Sequence, residues 1–95
     1  MTIAEISKSD KIKVLIHGHS GYAENGSDII CAGISSLAQA FAMTADNIVV
    51  EESDGFMSMA ADMNRDNETR LNMMIAGLKA ISDHYPQYFE IFLKI

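Results

Sequence analysis

Apolar and polar positions follow two different periods along this chain. From Lys11 to His19 the alternation is strict, with Ile12, Val14 and Ile16 on one side and Lys11, Lys13, Leu15 and His17 on the other. A period of two with one apolar side predicts a strand with one buried face. A first strand is predicted over residues 2–7, ended by the turn-rich Ser7-Lys8-Ser9-Asp10. Two such strands around a short turn predict a hairpin. Past residue 27 the period lengthens. Ile30, Ile34, Leu37 and Phe41 recur at helical spacing, and Ser27 or Asp28 is placed to cap that helix. Cys31, Ser35 and Ala38 form a neighbouring stripe of small side chains. Residues 47–52 and 55–61 predict a second hairpin, turned by Ser53-Asp54-Gly55. Leu71, Met74, Ile75, Leu78, Ile81, Ser82 and Tyr85 then share one face of a second helix, capped by Asn64 or Asp66 and stopped by Pro86. Phe89, Ile91, Leu93 and Ile95 alternate with polar and aromatic neighbours and predict a last strand.

The predicted order is ββαββαβ. Hairpins joined by helices imply an α+β fold, a mostly antiparallel sheet with two helices packed on it. The 95 residues contain no repeat, low-complexity tract or linker, so residues 1–95 read as one domain. Hydrophobic residues make up 48% of the chain, enough for a single modest core. The formal net charge is −6, which argues against a nucleic-acid-binding surface. No apolar run approaches the ~18 residues of a membrane span. The first residues, Met1-Thr2-Ile3-Ala4-Glu5, lack the pattern of a signal peptide. With one cysteine and no internal disulfide, the expectation is a cytoplasmic protein.

That cysteine, Cys31, stands where a glycine-rich loop (residues 20–27) gives way to the first helix. A thiol in the first turn feels the helix dipole and unpaired backbone N–H groups, and both favour the thiolate. His19 ends the preceding strand, across the same loop, and supplies a general base for a cysteine nucleophile. Gly18 lets the chain turn or a substrate backbone approach. Gly21 and Gly26 bracket the loop and give it hinges. Asp28 would oppose the thiolate if the two side chains met; capping the helix or orienting His19 are its alternatives. The bland readings are a small buried thiol, a surface histidine and ordinary turn glycines.

His17-Gly18-His19 raises a metal reading, since alternate strand positions share a face and Cys31 would add a third ligand. No second Cys or His cluster supports it, and no metal or cofactor is expected. His84 reads as a partner of the second helix's negative end. Met57, Met59, Met63, Met73 and Met74 read as core packing, with an adaptable peptide groove as the alternative. Glu51, Glu52 and Asp54 read as a solvated hairpin tip. Phosphate-loop, GxSxG and CxxC motifs are all absent from the sequence.

Gly18-His19, the Gly21-Tyr22-Ala23-Glu24 continuation, Gly26-x-Asp28-Ile29-Ile30-Cys31-Ala32 and Ser35 resemble the signature of the ribosomal-processing cysteine proteases, the Prp family. The twelve-residue separation of His19 and Cys31 also fits. The likeness is dense over residues 18–35, and elsewhere it is one of element order and length. It implies a cytoplasmic α+β homodimer. It also implies an activity: removing a short N-terminal extension from large-subunit ribosomal protein twenty-seven, with the cut after an aromatic residue. His19 would match the catalytic base and Cys31 the nucleophile, with Asp28 and Ser35 in supporting positions. Ser20 departs from the alanine that the family favours after Gly-His. Two rivals stand beside this reading. One is a non-catalytic dimeric peptide-binding module of the same fold. The other is a relative retuned to another substrate, such as a phage structural protein.

Overall fold

Both periods become regular structure close to the predicted positions. The elements are β1 (Thr2–Lys8), β2 (Lys11–His17), α1 (Ile29–Thr44), β3 (Val49–Ser53), β4 (Phe56–Asp62), α2 (Arg65–His84) and β5 (Phe89–Lys94). This computed structural model describes residues 1–24 and 26–95. Asn25, inside the glycine-rich loop expected at residues 20–27, lies outside the described residues.

The five strands form one sheet in the order β3-β4-β2-β1-β5. β1–β2, β2–β4 and β3–β4 are antiparallel, and β5 joins β1 in parallel. The sheet is therefore mixed and mostly antiparallel. Its inner face carries Ala4 and Ile6 from β1, Ile12 and Val14 from β2, and Met59 and Ala61 from β4, all at most 2% exposed. Ile30, Ile34, Ala38 and Phe41 of α1 and Leu71, Met74, Ile75 and Leu78 of α2 close the core with them, and Phe89 anchors β5 at 0% exposure. Side-chain alternation in the strands puts Glu5, Lys13, Leu15, Ser58 and Phe92 on the other, open face.

Three details differ from the sequence reading. β2 ends at His17, not His19, because Gly18 turns the chain at φ +89°. In α1 the buried stripe is Ile30, Ile34, Ala38 and Phe41, while Leu37, expected in that stripe, is only partly buried. Leu37 instead lies against Gly77 of α2, where a Cβ would come within 2.7 Å of Leu37 Cδ2, so α1 and α2 approach closely there. Met57, Met59 and Met74 are core residues as expected, but Met73 is 69% exposed.

Asn64 caps α2 by accepting from the Asn67 N–H. Asn67 itself is 0% exposed and fully satisfied. Its Oδ1 accepts from Asp46 N–H and Arg70, and its Nδ2 donates to the carbonyls of Asp46 and Asp62. One amide thus ties the α1–β3 connection and the end of β4 to the first turn of α2. Asn67→Ala removes the side-chain partner of the Asp46 N–H and the Asp62 carbonyl and one of the two partners of the Asp46 carbonyl, so urea denaturation should show a loss of about 2 kcal/mol. A loss under about 1 kcal/mol would show that water replaces the side chain freely. His84 closes α2, with Nδ1 2.7 Å from the Ala80 carbonyl oxygen. Among the described residues no helix is long and apolar enough to cross a membrane.

Candidate active site

The site is built at the junction of β2, the loop after it and the first turn of α1. Asp28 is the organising residue. It is the N-cap of α1, and its Oδ1 accepts from the backbone N–H of Ile30 and Cys31, each at 3.0 Å. Its Oδ2 accepts from the hydroxyl of Ser20, which is buried. Ser20 in turn accepts from the Tyr22 N–H at 3.1 Å. The carboxylate therefore clamps the start of the loop to the start of the helix. Of the three readings open to Asp28 from sequence, it takes the cap, and its side chain also meets the Cys31 thiol.

Burial alone would push the Asp28 carboxyl up, and it is the largest single influence. Hydrogen bonds from Ser20, the backbone of Cys31 and Ala23, and the Cys31 thiol together outweigh it and hold the carboxyl below its usual range. A depressed folded-state value means that this charge stabilises the fold above the ordinary carboxylate range. That contribution is lost as pH falls through the folded value. Asp28→Asn keeps the capping oxygen and removes the charge. Its stability deficit relative to wild type should be largest near neutral pH and should shrink as pH drops below about 4. A pH-independent deficit in thermal melts would show that the charge itself contributes nothing.

His19 follows Gly18 into the loop and is about half exposed. Its Nε2 lies 3.7 Å from Asp54 Oδ1 in the β3–β4 turn. The turn is held against the end of β2 by a 2.9 Å hydrogen bond from Gly18 N–H to the Gly55 carbonyl. A Cβ on Gly18 would collide with the Met1 carbonyl oxygen, so this position needs glycine for space as well as for its φ. The hairpin tip that reads as merely solvated is therefore part of the histidine's surroundings. Sequence spacing held no signal for this, because Asp54 and His19 meet only through the β2–β4 pairing.

Cys31 is partly exposed. His19 and Cys31 line two adjoining cavities together. The smaller, of about 180 Å³, also has Gly21, Ala23 and Asp28 in its wall. The larger, of about 250 Å³, extends over Ile34, Ser35, Ala38 and Met57 toward Glu52 and Asp54 at its rim. The stripe of small residues on α1 thus forms one wall of a cleft leading away from the thiol. Gly18 and Ser35 belong to the same cleft. Gly21 and Gly26 adopt positive φ, 77° and 89°, with open space around them, but Gly26 lines neither cavity. Tyr22, in the same loop, packs edge-on against Tyr85 and Tyr88 at 5.6 and 5.3 Å between ring centroids. Nothing in the sequence signalled this aromatic anchor.

His17 goes elsewhere. Its Nε2 lies 3.1 Å from Glu5 Oε2 on the open face of the sheet. The two histidines of His17-Gly18-His19 therefore do not share a face, because the strand ends between them. Among the described residues no three His, Cys, Asp or Glu side chains converge as metal ligands.

The first turn of α1 offers few free donors. Ile30 and Cys31 N–H go to Asp28 Oδ1, and Ala32 N–H goes to the Asp28 carbonyl. A thiol at this helix start sits beside a carboxylate that already occupies the amides which would otherwise stabilise negative charge.

Comparison with known proteins places the chain among relatives. The family model described as cysteine protease Prp matches residues 1–90. A structure of the essential ribosomal processing protease Prp from S. aureus, with a covalently linked product peptide, superposes with a TM-score of 0.86 at 23% identity. It covers 99% of this chain and 100% of that one. The S. aureus protease with a substrate peptide gives 0.76 at 22% identity, with the same coverage. SMU.848 from Streptococcus mutans gives 0.71 at 19% identity, covering 99% of this chain and 94% of that one. No curated protein matches the sequence.

Proposed function

The chain belongs to the Prp cysteine protease family, and from that premise we propose that it cuts an N-terminal extension from a large-subunit ribosomal protein with a Cys31–His19 dyad. The observation that carries this is the shared cleft, in which the chain's one thiol and His19 line the same two cavities at the head of α1. The S. aureus protease has been seen with a substrate peptide and with a covalently linked product peptide, and a peptide in the cleft of this chain is the corresponding reading.

In this mechanism the Cys31 thiolate attacks the scissile carbonyl carbon and forms a C–S bond. The imidazolium of His19 gives its proton to the amine nitrogen as the C–N bond breaks. Water then attacks the thioester, its proton passes to His19, and the C–S bond breaks to return the thiolate. Because Asp28 occupies the α1 amides, the oxyanion donors come from the loop backbone around His19, Ser20 and Gly21. Asp28 keeps the thiol's helix turn in place, and Ser35 stands one turn further along the cleft wall. Gly21 and Gly26 serve as the flexible joints of the loop. Ile34, Ala38 and Met57 give the cleft an apolar floor suited to an aromatic or aliphatic side chain next to the cut.

A cytoplasmic homodimer belongs to the same reading. Val49, Phe56 and Phe92 are exposed on the open face of the sheet, spaced among Glu5, Lys13 and Ser58, and offer a second copy separate apolar contacts within a polar face. The direct test incubates the protein with a peptide spanning the N-terminal extension of a large-subunit ribosomal protein and follows products by mass spectrometry. One cut after an aromatic residue is the expected result. An intact peptide in the presence of a folded, alkylatable protein would overturn the substrate assignment.

A further inference from the structure

Asp54 lies outside the motif at residues 18–35, yet three contacts bring its turn to the histidine. Gly55 accepts from the Gly18 N–H, which fixes the turn beside the residue preceding His19. The imidazole lies directly over Gly55. A Cβ there would sit 2.9 Å from Nε2 and 3.3 Å from Cδ2, so this surface is open to the ring only because the residue is glycine. Asp54 Oδ1 is then 3.7 Å from the same Nε2. The other carboxylates lining the cleft have different partners. Asp28 holds Ser20 and two α1 amides, and Glu52 accepts from Gln39 Nε2 at 3.0 Å.

A histidine acting as a base must have the correct ring nitrogen free, and the partner of the other nitrogen sets which one that is. We infer that Asp54 is a positioning residue: its carboxylate, 3.7 Å from Nε2, favours the ring form that carries its proton on Nε2 and leaves Nδ1 to exchange a proton with Cys31. Gly55 is the platform that makes this ring position possible. The inference rests on the dyad proposed above. Asp54 is 88% exposed, so solvent screens the contact and its effect is moderate until a peptide covers the cleft.

The experiment combines two readouts on wild type, Asp54→Asn and Asp54→Glu. The ¹⁵N shifts of the neutral His19 ring report its tautomer, and peptide kinetics report kcat and KM separately. Wild type should hold mainly the Nε2–H tautomer. Asp54→Asn should move the ring toward a tautomer mixture and lower kcat roughly tenfold, with KM unchanged. Asp54→Glu should recover most of both. An unchanged tautomer ratio and kcat in Asp54→Asn would overturn the role of Asp54 while leaving the protease reading intact. A tautomer shift on Asp54→Asn, when wild type leaves the peptide intact, would sustain the coupling and overturn the substrate assignment instead.

Discussion

Cys31→Ser is expected to lower peptide cleavage by about a thousandfold or more, with the fold intact. The size follows from the chemistry. A serine hydroxyl at this position has only His19 to activate it, while a thiol ionises far more readily and is intrinsically more nucleophilic. The preserved fold follows from the geometry. Cys31 is partly exposed and lies outside the buried cluster. Its structural contribution at the helix start is its backbone N–H, which Asp28 accepts and which serine retains. Thermal melts of the variant should therefore fall within about 2 °C of wild type. Cleavage near the wild-type rate would remove Cys31 from the nucleophile's role. A melt far below wild type would show that the thiol's contact with Asp28 carries structural weight.

His19→Ala should lower kcat by roughly 10² to 10⁴, with peptide binding kept. The half-exposed ring rests on Gly55 and reaches Asp54, so its removal uncovers a turn rather than opening the core. The matched control is His17→Ala. His17 pairs with Glu5 on the open face and should leave cleavage within about twofold of wild type. Isothermal binding of the peptide to both variants, in a Cys31→Ser background, separates binding from chemistry. If the two alanine variants lose activity equally, the assignment of the base to His19 fails, because only one of the two rings lines the cleft with Cys31.

Local patterns were legible wherever burial has a period. The alternation of Ile12, Val14 and Ile16 marked a buried strand face, and the spacing of Leu71, Met74, Ile75 and Leu78 marked the inner face of α2. Each cap was narrowed to two residues, Ser27 or Asp28 and Asn64 or Asp66, because short acceptors precede an apolar helical run, and the structure selects Asp28 and Asn64. The exposures of Leu37 and Met73 were less legible. Helical spacing fixes a direction around the axis, but the neighbouring helix decides how much of that direction is covered. Gly77 is what lets Leu37 sit between α1 and α2.

By itself the sequence determined the element order, the buried faces of β2 and α2, and the presence of one thiol and one histidine at the two ends of a glycine-rich loop. All of these depend on residues close together along the chain. Tertiary structure alone decided the rest. Joining β2 to β4 brought Asp54 and Gly55 to His19, and the turn at Gly18 separated His17 from His19. Packing of the loop onto the α2–β5 connection seated Tyr22 between Tyr85 and Tyr88. These contacts join residues far apart in sequence, and which of them form depends on how the two hairpins pair and where the helices lie on the sheet.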